Sequence, residues 1–383
     1  METVLVIFGG QSAEHDVSIV TALASVIKPL ELSRIYNVQA VYIAKDGRWF
    51  WDARLKDITL FTSGKIEDFM RKQPTVSINF MNGLVLQKRR KKLKADIVFP
   101  ALHGTNGEDG ALMGLLELAG VPYVGCGISA SAVCMDKVLA KQQAVANGLP
   151  VSKFVSVRTV DFENDVAAVV KTISTLKYPL FVKPAHLGSS IGISRVTNGK
   201  DLTNALEVAA HYDQLLIVEE AVQNLVEVTL PIIGNDQPKP GLLESPLTNP
   251  EDFFDFDTKY LHGSKKGKGG GKKADRGAQG YSKIPADLPK PVYDQAEKLG
   301  LAIYTALGCS GIARVDMLID IKAKKTYFNE VNPLPGSLYA HNWAQAGISG
   351  VELVQELINY AKQRHATEKS VVTSFKTNYL QQF

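Results

Sequence analysis

Short apolar runs alternate with amphipathic stretches from the first residues of this chain. Val4-Leu5-Val6-Ile7-Phe8 is unbroken apolar sequence ending in Gly9-Gly10, as expected of a strand buried on both faces. Ser12-Ala13-Glu14 then opens a helical pattern that runs to about Lys28, with the polar start a helix needs. The segment VQAVYIAKDGRWFW (38–51) reads as strand and turn. ADIVFPALHG (95–104) reads as another buried strand, ending at His103-Gly104. Asp109–Ala119 carries small and apolar residues at helical spacing. A longer helix is predicted from Ser129 to Asn147, stopped by Gly148. Lys137 and Lys141 share one face of it, four residues apart, on a helix expected to be exposed. This alternation predicts an α/β fold with a parallel, doubly wound sheet. Ligands of such sheets bind beyond the carboxyl ends of strands, where Gly9-Gly10 and His103-Gly104 lie.

Residues 150 to 219 read as a smaller α/β unit with a tight loop at Gly188–Gly192, and a third unit runs from about 220 to the end. Near the C-terminus, GIARVDMLID (311–320) and TYFNEVN (326–332) read as two arms of a hairpin. Side chains alternate with period two, so Arg314 and Asp316 share a face of one arm, and Glu330 and Asn332 a face of the other. Asp316 and Glu330 each lie seven residues from Ala323, so a turn there sets them opposite each other and pairs Arg314 with Asn332. Cross-strand partners sit roughly 4.5–5.5 Å apart at Cβ. Two carboxylates that close repel unless a proton or divalent cation lies between them. Oxygen ligands with an Asn amide suit Mg²⁺, which also engages substrate phosphates.

Composition narrows the class. The chain has 383 residues, 45% hydrophobic and 21% charged, enough for two or three domains of ordinary globular type. No apolar run is long enough for a membrane span. The first residues read as a strand and not as a signal peptide. Three cysteines without metal spacing point to a reducing, cytoplasmic setting. Net charge is +4, but Gly263–Gln279 alone carries five Lys and one Arg against one Asp, so the remainder stands at −1. A basic pI confined to one segment argues against nucleic acid as a partner, and neither basic run has interleaved aromatics for base stacking. The second run, Lys88–Lys94, is expected to be a solvated connection.

Tyr178-Pro-Leu-Phe-Val-Lys183-Pro184 is a strand running into Ala185-His186-Leu187-Gly188-Ser189-Ser190-Ile191-Gly192. Glycines let backbone N–H groups approach phosphate, and the lysine adds a cation. The loop is neither a Walker A sequence nor a dinucleotide fingerprint. FGGQSAEHDVS (8–18), HGTNGEDG (103–110), MDK (135–137), VKPAHLGSSIG (182–192), DTKY (257–260), RVD (314–316) and NEVNPLPG (329–336) follow in order. Together they resemble the D-alanine–D-alanine ligase family of the ATP-grasp superfamily over nearly the whole chain.

The resemblance implies a three-domain ATP-grasp fold. Its N-terminal Rossmann-like parallel-sheet domain would span 1–125, its central subdomain 126–219, and its C-terminal subdomain 220–383 with a lid insertion at about 250–285. It implies ATP-dependent joining of two D-alanines through an acyl phosphate, for peptidoglycan precursor synthesis in the cytoplasm, by a homodimer. It further implies Mg²⁺ or Mn²⁺, two ions, held by Asp316, Glu330 and Asn332. Glu14 matches the family's glutamate for the first substrate's ammonium, with a first-turn acid at a helix start as the plainer reading. His103 matches the histidine near that substrate. Lys137 and Lys183 match the lysines on ATP phosphates. Ser189 matches the serine linking Glu14 to the lid tyrosine. Lys259 and Tyr260 match the lid pair, and Phe253 or Phe254 would pack by the adenine. Arg314 matches the arginine on the transferring phosphoryl group, and the N–H of Gly336 completes the oxyanion site.

The chain departs from the family at three places. The segment from Gly336 to Trp343 is about four residues short, leaving Ser337, Tyr339 or His341 to meet the second substrate's carboxylate. The adenine hinge, Glu219, Glu220 and Val222, is followed by Glu227 for the ribose, one residue further along than usual. The Gly/Lys-rich stretch extends the lid and is expected to be disordered on composition. A related ligase with another acceptor, or a non-catalytic nucleotide-binding protein, are the competing readings.

Overall fold

A computed structural model describes residues 1–80, 83–188, 190–246, 282–372, 374 and 377–383. Its first sheet has the order Trp49–Trp51, Tyr36–Ile43, Glu2–Gly9, Ile97–Pro100. Glu2–Gly9 pairs in parallel with Tyr36–Ile43 and with Ile97–Pro100, and Trp49–Trp51 returns antiparallel at the edge. Val4 through Phe8 are wholly buried, which explains why this strand shows no polar alternation. One face packs on the helical stretch from His15 to Ser33 and on the long helix Gly350–Lys369, around Phe8, Leu30, Phe99 and Leu357.

That first helical stretch outruns the predicted end at Lys28. It comprises an α-helix (His15–Val20), a π-helical turn (Thr21–Ile27) and an α-helix (Lys28–Ser33) that starts over Pro29. The Lys88–Lys94 run is a correction too. It forms a β-hairpin, Val85–Lys88 with Lys91–Lys94, turning through Arg89 at φ 55°. The alternation of Leu84, Leu86 and Leu93 with charged residues buries one face of the hairpin and leaves the other in water.

A second sheet, antiparallel, has the order Ser194–Val196, Leu180–Pro184, Leu215–Glu220, Phe154–Arg158. A third, also antiparallel, has the order Lys239–Pro240, Leu225–Gly234, Gly311–Asp320, Lys325–Asn332. Helix Lys290–Ala306 covers one face of it through Val292, Ala296, Leu299 and Ile303. The predicted helix from Ser129 to Asn147 is in fact two, Ile128–Met135 and Lys137–Ala146. Asp136 breaks it by leaving the helical region (φ −92°, ψ 104°) and accepting from the N–H groups of Val138 and Leu139. An Asp at this position favours capping over continuation. Among the described residues no helix is long and apolar enough to cross a membrane.

Candidate active site

The C-terminal hairpin pairs Arg314 with Asn332 and Asp316 with Glu330, as the count from Ala323 predicts. The route differs from a simple turn. Below the site the partners are Met317 with Phe328 and Asp320 with Lys325, a register centred half a residue before Ala323. A β-bulge at Asn329 supplies the missing residue. Without it, period two would put Asn329 opposite Asp316 and turn Glu330 to the other face.

Cations of the protein meet this acidic face. Arg314 is bidentate on Asp316, with Nε 2.6 Å from Oδ1 and Nη2 on the other oxygen. Burial alone would lower the guanidinium pKa, but Asp316, with Tyr339 and Glu330, outweighs it and pushes it well above the usual value. Asn332 Nδ2 donates to Asp316 Oδ2 at 3.3 Å. Lys137 Nζ lies 3.4 Å from Glu330 Oε2 and donates to the carbonyl of Leu187 at 2.6 Å. Lys137 is only 8% exposed, which corrects the expectation of an exposed helix. The break at Asp136 turns the start of Lys137–Ala146 inward, and the Lys137 N–H bonds the Ala185 carbonyl at 3.1 Å.

Lys183 and the unanticipated Lys141 flank Glu219. Lys183 Nζ donates to Oε2 at 2.8 Å, and Lys141 Nζ lies 2.9 Å from Oε1, near enough to pair though not aligned for a hydrogen bond. Burial raises the Glu219 pKa, but the two lysines outweigh burial and hold it at about 2. Lys141 is fully buried, and desolvation, ahead of Glu219's pull, lowers its pKa. Its Nζ also reaches the Phe328 carbonyl at 3.2 Å and Ser152 Oγ at 3.3 Å. The Glu219 carboxylate is thus engaged by lysines. Glu220 points the other way, accepting from Lys177 N–H at 3.0 Å. Val222 is half-buried in the turn that follows. Glu227 is exposed on the next strand; burial lowers the Lys183 pKa, but Glu219, then Glu330 and Glu227, outweigh it and raise it. The bulge residue Asn329 brings Oδ1 to 3.4 Å from Lys183 Nζ.

The first sheet contributes a second corner. Ser18 joins two strand ends, accepting from Gly9 N–H at 2.8 Å and donating to the Ala101 carbonyl at 2.6 Å. Glu14 stands at the start of the helix, where an acid is favoured by the helix dipole, and its side chain makes no capping bond. Its carboxylate lies between two glycines. A Cβ on Gly104 (φ +72°) would sit 3.1 Å from Glu14 Oε2 and 2.5 Å from Ser12 Oγ. A Cβ on Gly188 would sit 3.6 Å from Oε2. Glu14, the HGTNGEDG turn and the glycine-rich loop therefore converge. His103 is buried beside them, its Nε2 2.8 Å from Thr21 Oγ1. Glu108, also buried, accepts from Gly104 N–H through Oε2 at 2.5 Å.

After Gly336 the chain turns through Ser337, Leu338 and Tyr339 at φ 51°, 53° and 53°, a left-handed run that L residues seldom adopt. Ser337 N–H bonds Thr21 Oγ1 at 2.9 Å. Tyr339 places its ring 5.1 Å from the Arg314 guanidinium. His341 Nε2 lies 2.9 Å from buried Glu244. Ser189, Phe253, Phe254, Lys259 and Tyr260 lie outside the described residues. Sequence reading missed Thr21, Glu108 and Asn329, and noted Lys141 without giving it work. Only Lys141 left a signal, a charge repeating Lys137 at helical spacing among small apolar residues.

Among the described residues no three His, Cys, Asp or Glu side chains gather to hold a metal. Asp316, Glu330 and Asn332 offer three oxygen-bearing side chains on one face, a set that fits Mg²⁺ or Mn²⁺ completed by phosphate oxygens.

Known proteins resemble this chain over nearly its whole length. Two family models match, "D-ala D-ala ligase N-terminus" over residues 3–126 and "D-ala D-ala ligase C-terminus" over residues 144–359. A D-alanine–D-alanine ligase of Acetivibrio thermocellus is 39% identical, covering 94% of this chain and 96% of its own. One of Caldicellulosiruptor bescii is 36% identical, covering 96% and 97%. Among solved structures, the D-alanine–D-alanine ligase of Coxiella burnetii aligns with TM-score 0.78 at 28% identity, covering 96% of each chain. The VanG D-Ala:D-Ser ligase of Enterococcus faecalis aligns with TM-score 0.76 at 31% identity, covering 94% and 99%. The fold is the ATP-grasp fold, and the chain belongs to the D-alanine–D-alanine ligase family.

Proposed function

We propose that this enzyme joins two D-alanines at the expense of ATP, forming D-alanyl-D-alanine for peptidoglycan precursors in the cytoplasm. The observation that carries the reading is the hairpin face. Arg314, Asp316, Glu330 and Asn332 share it, and Lys137 reaches it from the neighbouring helix, with Lys183 nearby on Asn329. A carboxylate resists nucleophiles until phosphorylation gives it a leaving group. In the first step a D-alanine carboxylate oxygen attacks the γ-phosphorus and the bond to ADP breaks. In the second, the amine of another D-alanine attacks the acyl carbon, and the tetrahedral adduct expels phosphate while the amine loses a proton.

Glu14 holds the first ammonium, and His103 lines that end. Lys137 and Lys183 hold phosphates. Arg314 and the Gly336 N–H face the charge that develops on the phosphoryl group and the adduct. Glu219, Glu220, Val222 and Glu227 form the hinge and ribose edge. Ser189 links Glu14 to the lid tyrosine, Lys259 and Tyr260 are the lid pair, and Phe253 or Phe254 packs by the adenine. Mg²⁺ or Mn²⁺, two ions when bound, would be held by Asp316, Glu330 and Asn332 and would neutralise and orient the triphosphate. The division at 125 and 219 into three domains, and a homodimeric state, belong to the same reading.

The test is phosphate release with ATP, Mg²⁺ and D-alanine. Arg314→Ala should lower ligation at least about 1,000-fold while ATP still binds. Turnover at the wild-type rate would refute the assigned role. Three observations favour a second acceptor. The left-handed Ser337–Tyr339 turn replaces a longer family segment, His341 is bound to Glu244, and a D-Ala:D-Ser ligase is among the structural neighbours. Faster turnover with D-serine than with D-alanine as acceptor would establish it.

A further inference from the structure

We infer that Thr21 is a positioning residue for ligation, holding the Gly336–Ser337 turn and the His103 ring in one hydrogen-bonded unit. The inference rests on the roles proposed above for Gly336 and His103. Thr21 is fully buried, and His103 is 4% exposed. Thr21 Oγ1 lies 2.9 Å from Ser337 N and 2.8 Å from His103 Nε2. Three segments far apart in sequence therefore meet at one hydroxyl. Thr21 opens the π-helical turn Thr21–Ile27, an irregularity that recurs at functional sites.

Hydrogen-bond direction follows from the donors. A peptide N–H can only donate, so Oγ1 accepts from Ser337. A hydroxyl carries one proton. Among the described residues Ser337 and His103 are the partners of Oγ1, so that proton points to His103 Nε2. Nε2 then accepts, and the ring proton sits on Nδ1, which faces Glu108 Oε1 at 4.0 Å. One hydroxyl thereby selects the His103 tautomer and orients the peptide that follows Gly336.

That peptide needs holding. The next three residues, Ser337 to Tyr339, are all left-handed. Leu338 fixes the turn from the core side, fully buried and bonding the Pro335 carbonyl at 2.9 Å through its N–H. Tyr339 fixes it under Arg314. Thr21 supplies the third attachment, from the N-terminal sheet's helix. An oxyanion donor acts only when preorganised, so freeing the Gly336–Ser337 peptide should slow chemistry more than ATP binding.

The experiment compares Thr21→Val, which keeps shape and removes the hydroxyl, with Thr21→Ser, which keeps it. Thr21→Val should lower kcat about 10- to 100-fold with KM for ATP within about two-fold, and Thr21→Ser should recover to within about three-fold of wild type. ¹⁵N NMR of the imidazoles, with His103 assigned by loss of its signals in His103→Gln, gives a readout independent of turnover. Wild type and Thr21→Ser should show an unprotonated Nε2, and Thr21→Val a shifted tautomer balance. A protonated Nε2 in the wild type, or an unchanged kcat in Thr21→Val, overturns the inference. Should the wild type fail to ligate D-alanine, the functional reading falls and the NMR result alone decides the hydrogen-bonding unit.

Discussion

His186 stands between two carboxylates at the foot of the glycine-rich loop. Its Nε2 is 3.3 Å from Asp136, and its Nδ1 is 3.1 Å from Asp213, which also accepts its backbone N–H at 2.7 Å. Asp136 and Asp213 raise its pKa to about 10. Asp136 caps the helix that presents Lys137, so the imidazolium links that helix to the loop. The sign follows from the raised value. The contribution is whole below the ordinary imidazole pKa of about 6.5 and is lost as pH climbs toward 10. Burial raises both aspartates, but His186 and backbone N–H groups outweigh it and hold them low, so they stay ionised across this window. The His186 side chain is 47% exposed, and solvent screens the pairs to about 1 kcal/mol in all. His186→Asn should lower Tm by about 1–2 °C near pH 6, and the gap from wild type should close toward pH 10. A gap independent of pH would show that the ring is not held as a cation. Little of this was legible in advance. The sequence shows a histidine in a loop, and only the fold brings Asp136 and Asp213, 50 and 27 residues away, to its two nitrogens.

At the scale of elements, period two is a strong local rule with one hidden variable. The alternation in GIARVDMLID and TYFNEVN sorts Arg314, Asp316, Glu330 and Asn332 onto one face, and the structure agrees. The bulge that makes the register work was not legible, because an extra residue in a strand changes no composition and breaks no apolar run. Deleting Asn329 removes that extra residue and leaves Glu330 opposite Asp316. Deleting Val331 instead would carry Asn332 to the opposite face. We expect the first variant to keep Mg²⁺-dependent ATP binding within about 10-fold and the second to lose at least about 100-fold, measured by titration calorimetry on variants with native circular dichroism. Equal losses would mean that the bulge serves the site by more than register. The split of the predicted Ser129–Asn147 helix is a similar case. Apolar spacing continues through Asp136, and the cap that breaks the helix is visible only once Lys137 is seen to turn inward.

For the molecule as a whole, the last helix ties the first sheet's unit to the third sheet. Arg364, on Gly350–Lys369, donates through Nη1 to the Gly125 carbonyl and to Ser310 Oγ (2.9 Å), and through Nη2 to the Tyr123 carbonyl at 3.0 Å. Its guanidinium lies 4.3 Å from the centre of the Tyr123 ring. Tyr123 and Gly125 lead out of the first sheet's unit, and Ser310 precedes the strand carrying Arg314 and Asp316. The fork therefore locates the acidic hairpin relative to the Glu14 corner. Arg364→Ala leaves two carbonyls and a hydroxyl without this donor, at a cost of about 3 kcal/mol. A urea midpoint shift should report it, and Arg364→Lys should recover only part, since an ammonium cannot fork. An unchanged midpoint in Arg364→Ala would show that the two parts hold together by apolar contact alone.

The linear chain by itself determined the buried first strand, the shared face of the acidic hairpin and the family, because those depend on spacing along a few tens of residues. It could not decide which buried cations face which carboxylates. Lys141 looks like any helix lysine, Thr21 like any helix threonine, and each acquires its partner from a segment far away. Burial and charge pairing depend on distances through space, and those exist only after the sheets have packed. Folding therefore set Lys141 and Lys183 on Glu219, Lys137 on Glu330, and one threonine hydroxyl between His103 and the turn after Gly336.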